Sequence, residues 1–180
     1  MTDVSPPRAG QTVRSGGPNP GILAAVSLGL TVAGLVTAAI MTGGSTFVSP
    51  FSTAGQVAAY FQENAIAERV AGMIQFGSAV PLGIYAATVY ARMLRLGVRV
   101  PGPGIGFFGG IAAALFLMLS ASVGWLLSRP EITTDVTLTH ALAFLAFITG
   151  GVGYVTGMGL LVAGTAVPGL ILSLVPRWLA

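Results

Sequence analysis

The chain has no cysteine and no lysine, and charged residues make up only 7% of its 180 residues. Without cysteine, disulfides, thiolate metal sites and cysteine nucleophiles are excluded. A soluble domain carries about 25% charged residues, so this chain has too few charges to cover a water-facing surface. Hydrophobic residues reach 54%, and the mean hydropathy is +0.87. The composition therefore indicates a protein whose surroundings are mostly lipid.

Long apolar stretches account for most of the sequence. About 20 apolar residues cross the roughly 30 Å hydrocarbon core of a bilayer as a helix. The pattern predicts an all-α, up-and-down bundle of four main transmembrane helices, at about residues 21–42, 70–90, 105–128 and 136–163. Pro81 predicts a kink in the second span. The apolar C-terminal segment is predicted to be partial, because Pro168 and Pro176 interrupt it.

Polar residues are concentrated at the N-terminus and between the first two spans. Residues 1–20 are rich in Pro, Gly, Ser and Thr, which predicts a disordered tail. Thr53 followed by Gln56 is typical of a capping box, and an amphipathic helix is expected after it. We expect this helix to lie at the membrane interface with its aromatic side chains toward the lipid. Asp135 is the predicted N-cap of the fourth span.

The eight arginines are distributed unevenly over the two sides of the predicted bundle. If the N-terminus is inside, six arginines lie inside (Arg8, Arg14, Arg92, Arg95, Arg99 and Arg177) and two lie outside (Arg69 and Arg129). This bias predicts a cell-membrane protein with a cytoplasmic N-terminus. Because the arginines are spread over several loops, a basic groove for nucleic acid is not expected.

A glycine pattern, G-x-G-x-x-G at 104–109, resembles a dinucleotide fingerprint. The expected preceding strand is missing, and no acidic residue lies about 20 residues further on, so this interpretation fails. Two G-x-x-x-G pairs, Gly106 with Gly110 and Gly153 with Gly157, instead predict close helix packing. A local break of the fourth helix at 150–153, of the kind found at transporter sites, is the alternative.

Few residues qualify for catalysis or metal binding. His140 is the single histidine, and Ser120 and Ser122 are predicted at a similar depth, so a Ser–His dyad is geometrically feasible. No nucleophile motif supports it, and a histidine at headgroup level is the preferred interpretation. Four acidic residues predicted near the outer surface match no metal-ligand spacing with His140, and they are interpreted as a solvated acidic rim: Glu63, Glu68, Glu131 and Asp135. We therefore expect no enzyme activity, no metal and no cofactor.

Polar residues inside the spans have two interpretations. Gln75, Tyr85 and Tyr154, with His140 nearer the surface, are candidates for a polar cavity. The preferred interpretation is that such groups form hydrogen bonds between helices. No Asp, Glu, Lys or Arg is predicted at mid-membrane, which argues against a proton-coupled carrier or an ion pump.

Arg92, Arg95 and Arg99 follow the second span at positions i, i+3 and i+7, which places them on one helical face. They are interpreted as a topology signal. Contact with an anionic lipid headgroup is the alternative.

Three stretches carry a family resemblance: "AAYFQENAIAERVAGMIQFGSAVPLGIYAATVYARM", "FLAFITGGVGYVTGMGLLVAG" and "LVPRWLA". Over about residues 49–180, the chain resembles a family of actinobacterial multi-pass integral membrane proteins of unknown function. The resemblance implies an all-helical membrane protein with no assigned activity or catalytic residues. Family members often continue into further spans beyond this point.

The sequence leaves two main functional hypotheses. The first is a structural or accessory protein that packs against itself or against a larger membrane complex in the lipid bilayer. The second is a small carrier or a lipid- or small-molecule-binding membrane protein. A dry, packed interior favours the first hypothesis, and a wet cavity facing Gln75, Tyr85 and Tyr154 favours the second. An intramembrane Ser–His hydrolase is a third and more distant alternative.

Overall fold

The computed structural model describes residues 17–45 and 47–171, and all its regular structure is helical. The helices are α1 (Pro20–Met41), α2 (Ala54–Glu63), α3 (Ala65–Arg95), α4 (Gly102–Leu126), α5 (Pro130–Thr133), α6 (Val136–Phe147) and α7 (Tyr154–Ile171). A π-helical turn, Ile148–Gly153, joins α6 and α7 into one continuous helix. Most of the predicted N-terminal tail lies outside the described residues.

Four helices are long and apolar enough to cross a membrane: α1, α3, α4 and the joined α6–α7. This confirms the predicted all-α fold with four main spans, and it fits a multi-pass membrane protein. The fourth span is longer than predicted, because α7 continues through Pro168 to Ile171. The predicted interruption at Pro168 is therefore wrong: neighbouring helices in a membrane can accommodate a proline, and Pro168 is buried in the bundle.

Two further predictions from proline have different outcomes. Pro81 lies inside α3, which runs without interruption from Ala65 to Arg95, and the kink predicted there stays a prediction. Pro176 and the end of the chain after Ile171 lie outside the described residues.

The spans pack in the order α1, α3, α4, α7, with each helix in contact with the next. The first helix is the most exposed, since only Ser27 and Gly34 are buried on it. Ser27 donates its hydroxyl to the carbonyl of Ser78 on α3 over 2.9 Å. Gly34 lies against Ile74, which is also on α3. One face of α1 therefore holds it to the bundle.

Glycines hold α4 and α7 in close antiparallel contact. A Cβ atom added to Gly157 would lie 2.6 Å from the backbone nitrogen of Ala113 and 2.8 Å from the carbonyl of Gly109. A Cβ on Gly164 would overlap the backbone of Gly106, and one on Gly102 would overlap the ring of Pro168. The two backbones thus touch over several turns, which only glycine permits.

The two short helices α2 and α5 cover one end of the bundle, which we name the cap end. The capping box between Thr53 and Gln56 is confirmed as the start of α2, and the predicted N-cap Asp135 accepts from two backbone amides at the start of α6. The orientation predicted for α2 is wrong, because its apolar face rests on protein rather than on lipid. Phe61 is 2% exposed and packs with Val123 and Leu127 of the α4 end.

The close contact between α4 and α7 predicts how two glycine substitutions on α7 change the thermal stability of the protein. We expect Gly157→Ala to lower the unfolding midpoint, because a methyl group there overpacks two backbones, at a typical cost of about 1–3 kcal/mol. Gly159→Ala is the matched control, since nothing lies within 4 Å of a Cβ at Gly159. Thermal unfolding of both variants in one detergent checks this. Equal midpoints for the two variants would contradict the close contact.

Candidate functional site

A cavity of about 260 Å³ lies beneath the cap end, between α3, α4 and the π-helical turn. We name it the cap chamber. Three helical stretches of similar length form most of its wall. Their first and last lining residues are 68 and 75, 120 and 127, and 143 and 151. Seven residues of helix rise about 10 Å, which sets the approximate depth of the chamber. The loop before α2 and Phe61 complete the wall.

Three polar side chains from two helices line the cap chamber: Glu68 and Gln75 on α3, and Ser120 on α4. Glu68 and Gln75 are seven residues apart, two turns of helix, and therefore share one face. Ser120 donates its hydroxyl to the carbonyl of Ala146 over 3.0 Å, and its oxygen keeps the capacity to accept. A carboxylate, an amide and a hydroxyl thus converge on one small space.

The π-helical turn forms one side of the chamber at the level of Ser120. Gly150 lies in this turn, and a Cβ there would overlap the Ser120 hydroxyl. The carbonyl of Ala146 accepts hydroxyl groups from both Ser120 and Thr149. Turns of this kind are rare and occur frequently at functional sites. The break predicted at 150–153 as an alternative thus corresponds to a widened turn in a continuous helix.

Three aromatic rings contribute to the wall of the chamber. Phe47, Phe61 and Phe147 all line it. The rings of Phe47 and Phe61 meet edge to face, with centroids 6.2 Å apart. The apolar rings face the same space as the carboxylate of Glu68.

Tyr60 on α2 connects the cap to the carboxylate, because its hydroxyl donates to Glu68 Oε1 over 3.2 Å. Burial raises the pKa of the Tyr60 hydroxyl far above its usual value, and the neighbouring charge of Glu68 raises this pKa further. Tyr60 therefore remains protonated and donates to Glu68 across the physiological pH range.

The basic residues at this end are engaged away from Glu68. Arg69 reaches the end of α4, where its guanidinium donates to the hydroxyl and the carbonyl of Ser128 at 3.3 and 3.2 Å. Arg129 forms an ion pair with Glu131 at 3.6 Å and lies over the ring of Trp125. Glu68 thus has a tyrosine as its partner and no cation among the described residues.

The four residues predicted to share a polar cavity lie in three different places. Gln75 lines the cap chamber. Tyr85 and Tyr154 line a separate groove of about 280 Å³ between α1, α3 and α7, which we name the side groove. His140 contacts neither space directly. Its Nε2 forms a hydrogen bond of 2.8 Å with the carbonyl of Pro50, and its ring packs beside Phe144.

The side groove offers less for recognition than the cap chamber. Its hydroxyls at Ser27, Thr31 and Thr165 are all donated to backbone carbonyls. Tyr85 and Tyr154 supply the remaining polar atoms in a wall that is otherwise mostly aliphatic. No carboxylate or amide side chain from residues 17–45 or 47–171 lines it. The cap chamber is therefore the stronger candidate site.

The Ser–His dyad considered for the sequence is not assembled. His140 bonds to Pro50, Ser120 bonds to Ala146, and Ser122 donates to the carbonyl of Met118 on its own helix. Within residues 17–45 and 47–171, no three acidic or histidine side chains are grouped closely enough to hold a metal ion.

The three arginines at the opposite end, which we name the arginine end, do not share one helical face. The helix α3 ends at Arg95, and Gly97 follows with a positive φ of 80°. The amide of Val98 bonds to the carbonyl of Met93, which completes a Schellman motif and turns the chain away. The prediction that Arg99 shares a helical face with Arg92 and Arg95 is therefore wrong. Arg92 donates to the carbonyl of Pro18, just before α1.

The four glycines that were predicted to pack helices together lie in different contacts. Gly106 and Gly157 lie in the α4–α7 contact, while Gly110 faces Ala86 of α3, and Gly153 receives the ring of Phe116. Sequence reasoning missed Gly102, Gly109 and Gly164 in this contact. Their signal was the repeat of small residues at 102, 106, 109 and 113, and at 157 and 164.

The sequence also missed Glu68, which was assigned to a solvated acidic rim. Its position seven residues before Gln75 was the available signal.

In comparisons with known proteins, no family model, no curated protein and no solved structure matches this chain.

Because the chain has no cysteine, single cysteines can report whether water reaches the chamber. We expect a charged thiosulfonate reagent to modify Ser120→Cys in native membranes and to leave Ser122→Cys largely unmodified. Ser120 lines the cap chamber, whereas Ser122 lies on a lipid-facing surface with Met73 and Phe76. Such reagents need a thiolate in water.

The control is built into this pair, because Ser122 is nearer to the end of α4 than Ser120. If reagent access depended only on distance from the end of the helix, Ser122→Cys would be modified more than Ser120→Cys. Equal modification at both positions, or modification of Ser122→Cys alone, would contradict a wet chamber.

Proposed function

We propose that this chain is a multi-pass membrane protein that binds a small polar or amphipathic molecule in the cap chamber, as a small carrier or a ligand-binding subunit. The observation that carries this proposal is the convergence of Glu68, Gln75 and Ser120 on one cavity beside the π-helical turn. A dry, fully packed interior would have supported a purely structural role.

The size of the chamber supports a small ligand. Pockets for drug-sized ligands have volumes of about 300–1,000 Å³, and the chamber at about 260 Å³ is below that range. Most of its wall is apolar, with a few polar groups that can fix the orientation of a ligand. We propose no catalytic residue, because Glu68, Gln75 and Ser120 do not form a nucleophile–base pair with one another.

We place the protein in the cell membrane, with the arginine end and the N-terminus in the cytoplasm. The excess of arginine near that end supports this orientation. Membership of the actinobacterial family that the sequence resembles is likewise part of the proposal, on the sequence motifs alone.

A second candidate function is an accessory protein that packs against a membrane partner or a second copy. The exposed face of α1 favours it, because this helix contacts the bundle mainly through α3. Ala25, Gly29 and Ala33 lie exposed at four-residue spacing on α1. Small residues at this spacing let helices approach closely.

Native mass spectrometry of protein extracted directly into nanodiscs tests the proposed function. We expect the wild-type protein to carry a bound small molecule and Gly124→Leu to lose it. Gly124 lines the chamber with nothing within 4 Å of an added Cβ, so we expect a leucine side chain there to take up chamber volume. Gly159→Leu, on the lipid-facing side of α7, should keep the ligand.

Retention of the molecule by Gly124→Leu would contradict binding in the chamber. An empty wild-type protein that runs as a fixed homo-oligomer, or that carries another protein, would favour the accessory function.

The orientation has its own test with single cysteines on intact cells. We expect a membrane-impermeant maleimide to label Gly55→Cys at the cap end and to leave Leu96→Cys unlabelled until the cells are opened. Both positions are exposed, at the start of α2 and just after α3. The reverse labelling pattern would overturn the proposed orientation.

A further inference from the structure

We infer that the ligand of the cap chamber is an organic ammonium ion, either a free small molecule or the ammonium group of a lipid headgroup. This inference rests on the proposed function, because it names the ligand class of the same cavity. It is drawn from the charge, the rings and the hydrogen-bonding groups that line the space.

Charge is the first argument. Among the described residues, Glu68 is the one charged side chain that lines the chamber. It is half-buried, and its partner, Tyr60, is neutral. The adjacent Arg69 is turned to Ser128 instead. A partly buried carboxylate without a cation is unfavourable, because the lost hydration is not replaced. A cationic ligand supplies the missing charge.

The aromatic rings indicate which kind of cation the chamber favours. Phe47, Phe61 and Phe147 line the same space as Glu68. An ammonium group over the face of an aromatic ring is attracted by the ring quadrupole, and this is a common way to recognise quaternary ammonium ligands. Gln75 and Ser120, about 10 Å deeper along the helices, can accept hydrogen bonds from a polar group at the other end of the ligand.

Other ligand classes fit the wall less well. A hard metal ion needs about six oxygen ligands close together. The polar side chains that line the chamber are Glu68, Gln75 and Ser120, and Gln75 lies two helical turns from Glu68. An anion would meet Glu68, and no basic side chain of the described part of the chain lines the chamber. A wholly apolar chain would leave the carboxylate and the amide of Gln75 without partners.

The test compares two probes of nearly the same shape: choline, which is cationic, and 3,3-dimethylbutan-1-ol, its neutral isostere. Each is titrated into the full chain in phosphatidylglycerol nanodiscs, which contain no ammonium headgroup. We expect the wild-type protein to bind choline at least about tenfold more tightly than the isostere. Glu68→Gln should remove this preference while leaving the weaker binding of the isostere unchanged.

Glu131→Gln is the matched control, because Glu131 is an exposed carboxylate at the same end and pairs with Arg129. It should keep the preference for choline. Equal affinity of the wild-type protein for both probes would overturn the ammonium assignment and leave chamber binding intact. Absence of binding for both probes would also overturn it. The wild-type comparison decides the question even where Glu68→Gln fails to fold.

The two sources of ammonium are separated by native mass spectrometry in mixed nanodiscs. Retention of phosphatidylethanolamine or phosphatidylcholine over phosphatidylglycerol, lost in Glu68→Gln, assigns the site to a headgroup. Choline binding without such retention assigns it to a free organic ammonium ion. Retention of phosphatidylglycerol instead would overturn the inference.

Discussion

The backbone contact between α4 and α7 fixes the register on which the rest of the structure depends. Gly106 meets Gly164, Ala113 meets Gly157, and further along the same antiparallel register Phe116 meets Gly153. The next contact in this series places Ser120 against Gly150 in the π-helical turn. Beyond that point the cap and the chamber occupy the space between the helices. Tight packing at the arginine end and in the middle of the bundle therefore positions the polar groups at the cap end.

The cap end shows how a membrane protein can hold polar groups near its surface. Tyr60 of α2 bonds to Glu68 of α3, and Gln62 bonds to the carbonyl of Thr133 in α5 over 2.6 Å. Phe61 anchors the same helix in an apolar cluster. These contacts tie the cap to the spans that form the chamber. The carboxylate of Glu68 is thus half-buried beneath the cap, where we propose that it selects a cationic ligand.

Much of the fold was accessible from sequence, because lipid imposes strong and simple constraints. Apolar length predicted four spans, and local capping chemistry predicted the start of α2 at Thr53. Long-range partners were not accessible. The sequence cannot show that Gly110 faces α3 while Gly106 faces α7, because that depends on helix rotation. For the same reason Gln75 and Tyr85, both on α3, were predicted to share a cavity and instead line two separate spaces.

The central claim is that the cap chamber holds a small ligand between α3, α4 and the π-helical turn. The most direct measurement is a high-resolution density map of the protein in nanodiscs prepared from native membranes. The account predicts compact non-protein density within hydrogen-bonding distance of Glu68, or of both Gln75 and Ser120. A chamber closed by the side chains of Phe47 and Phe147, with Glu68 turned out to solvent, would contradict it.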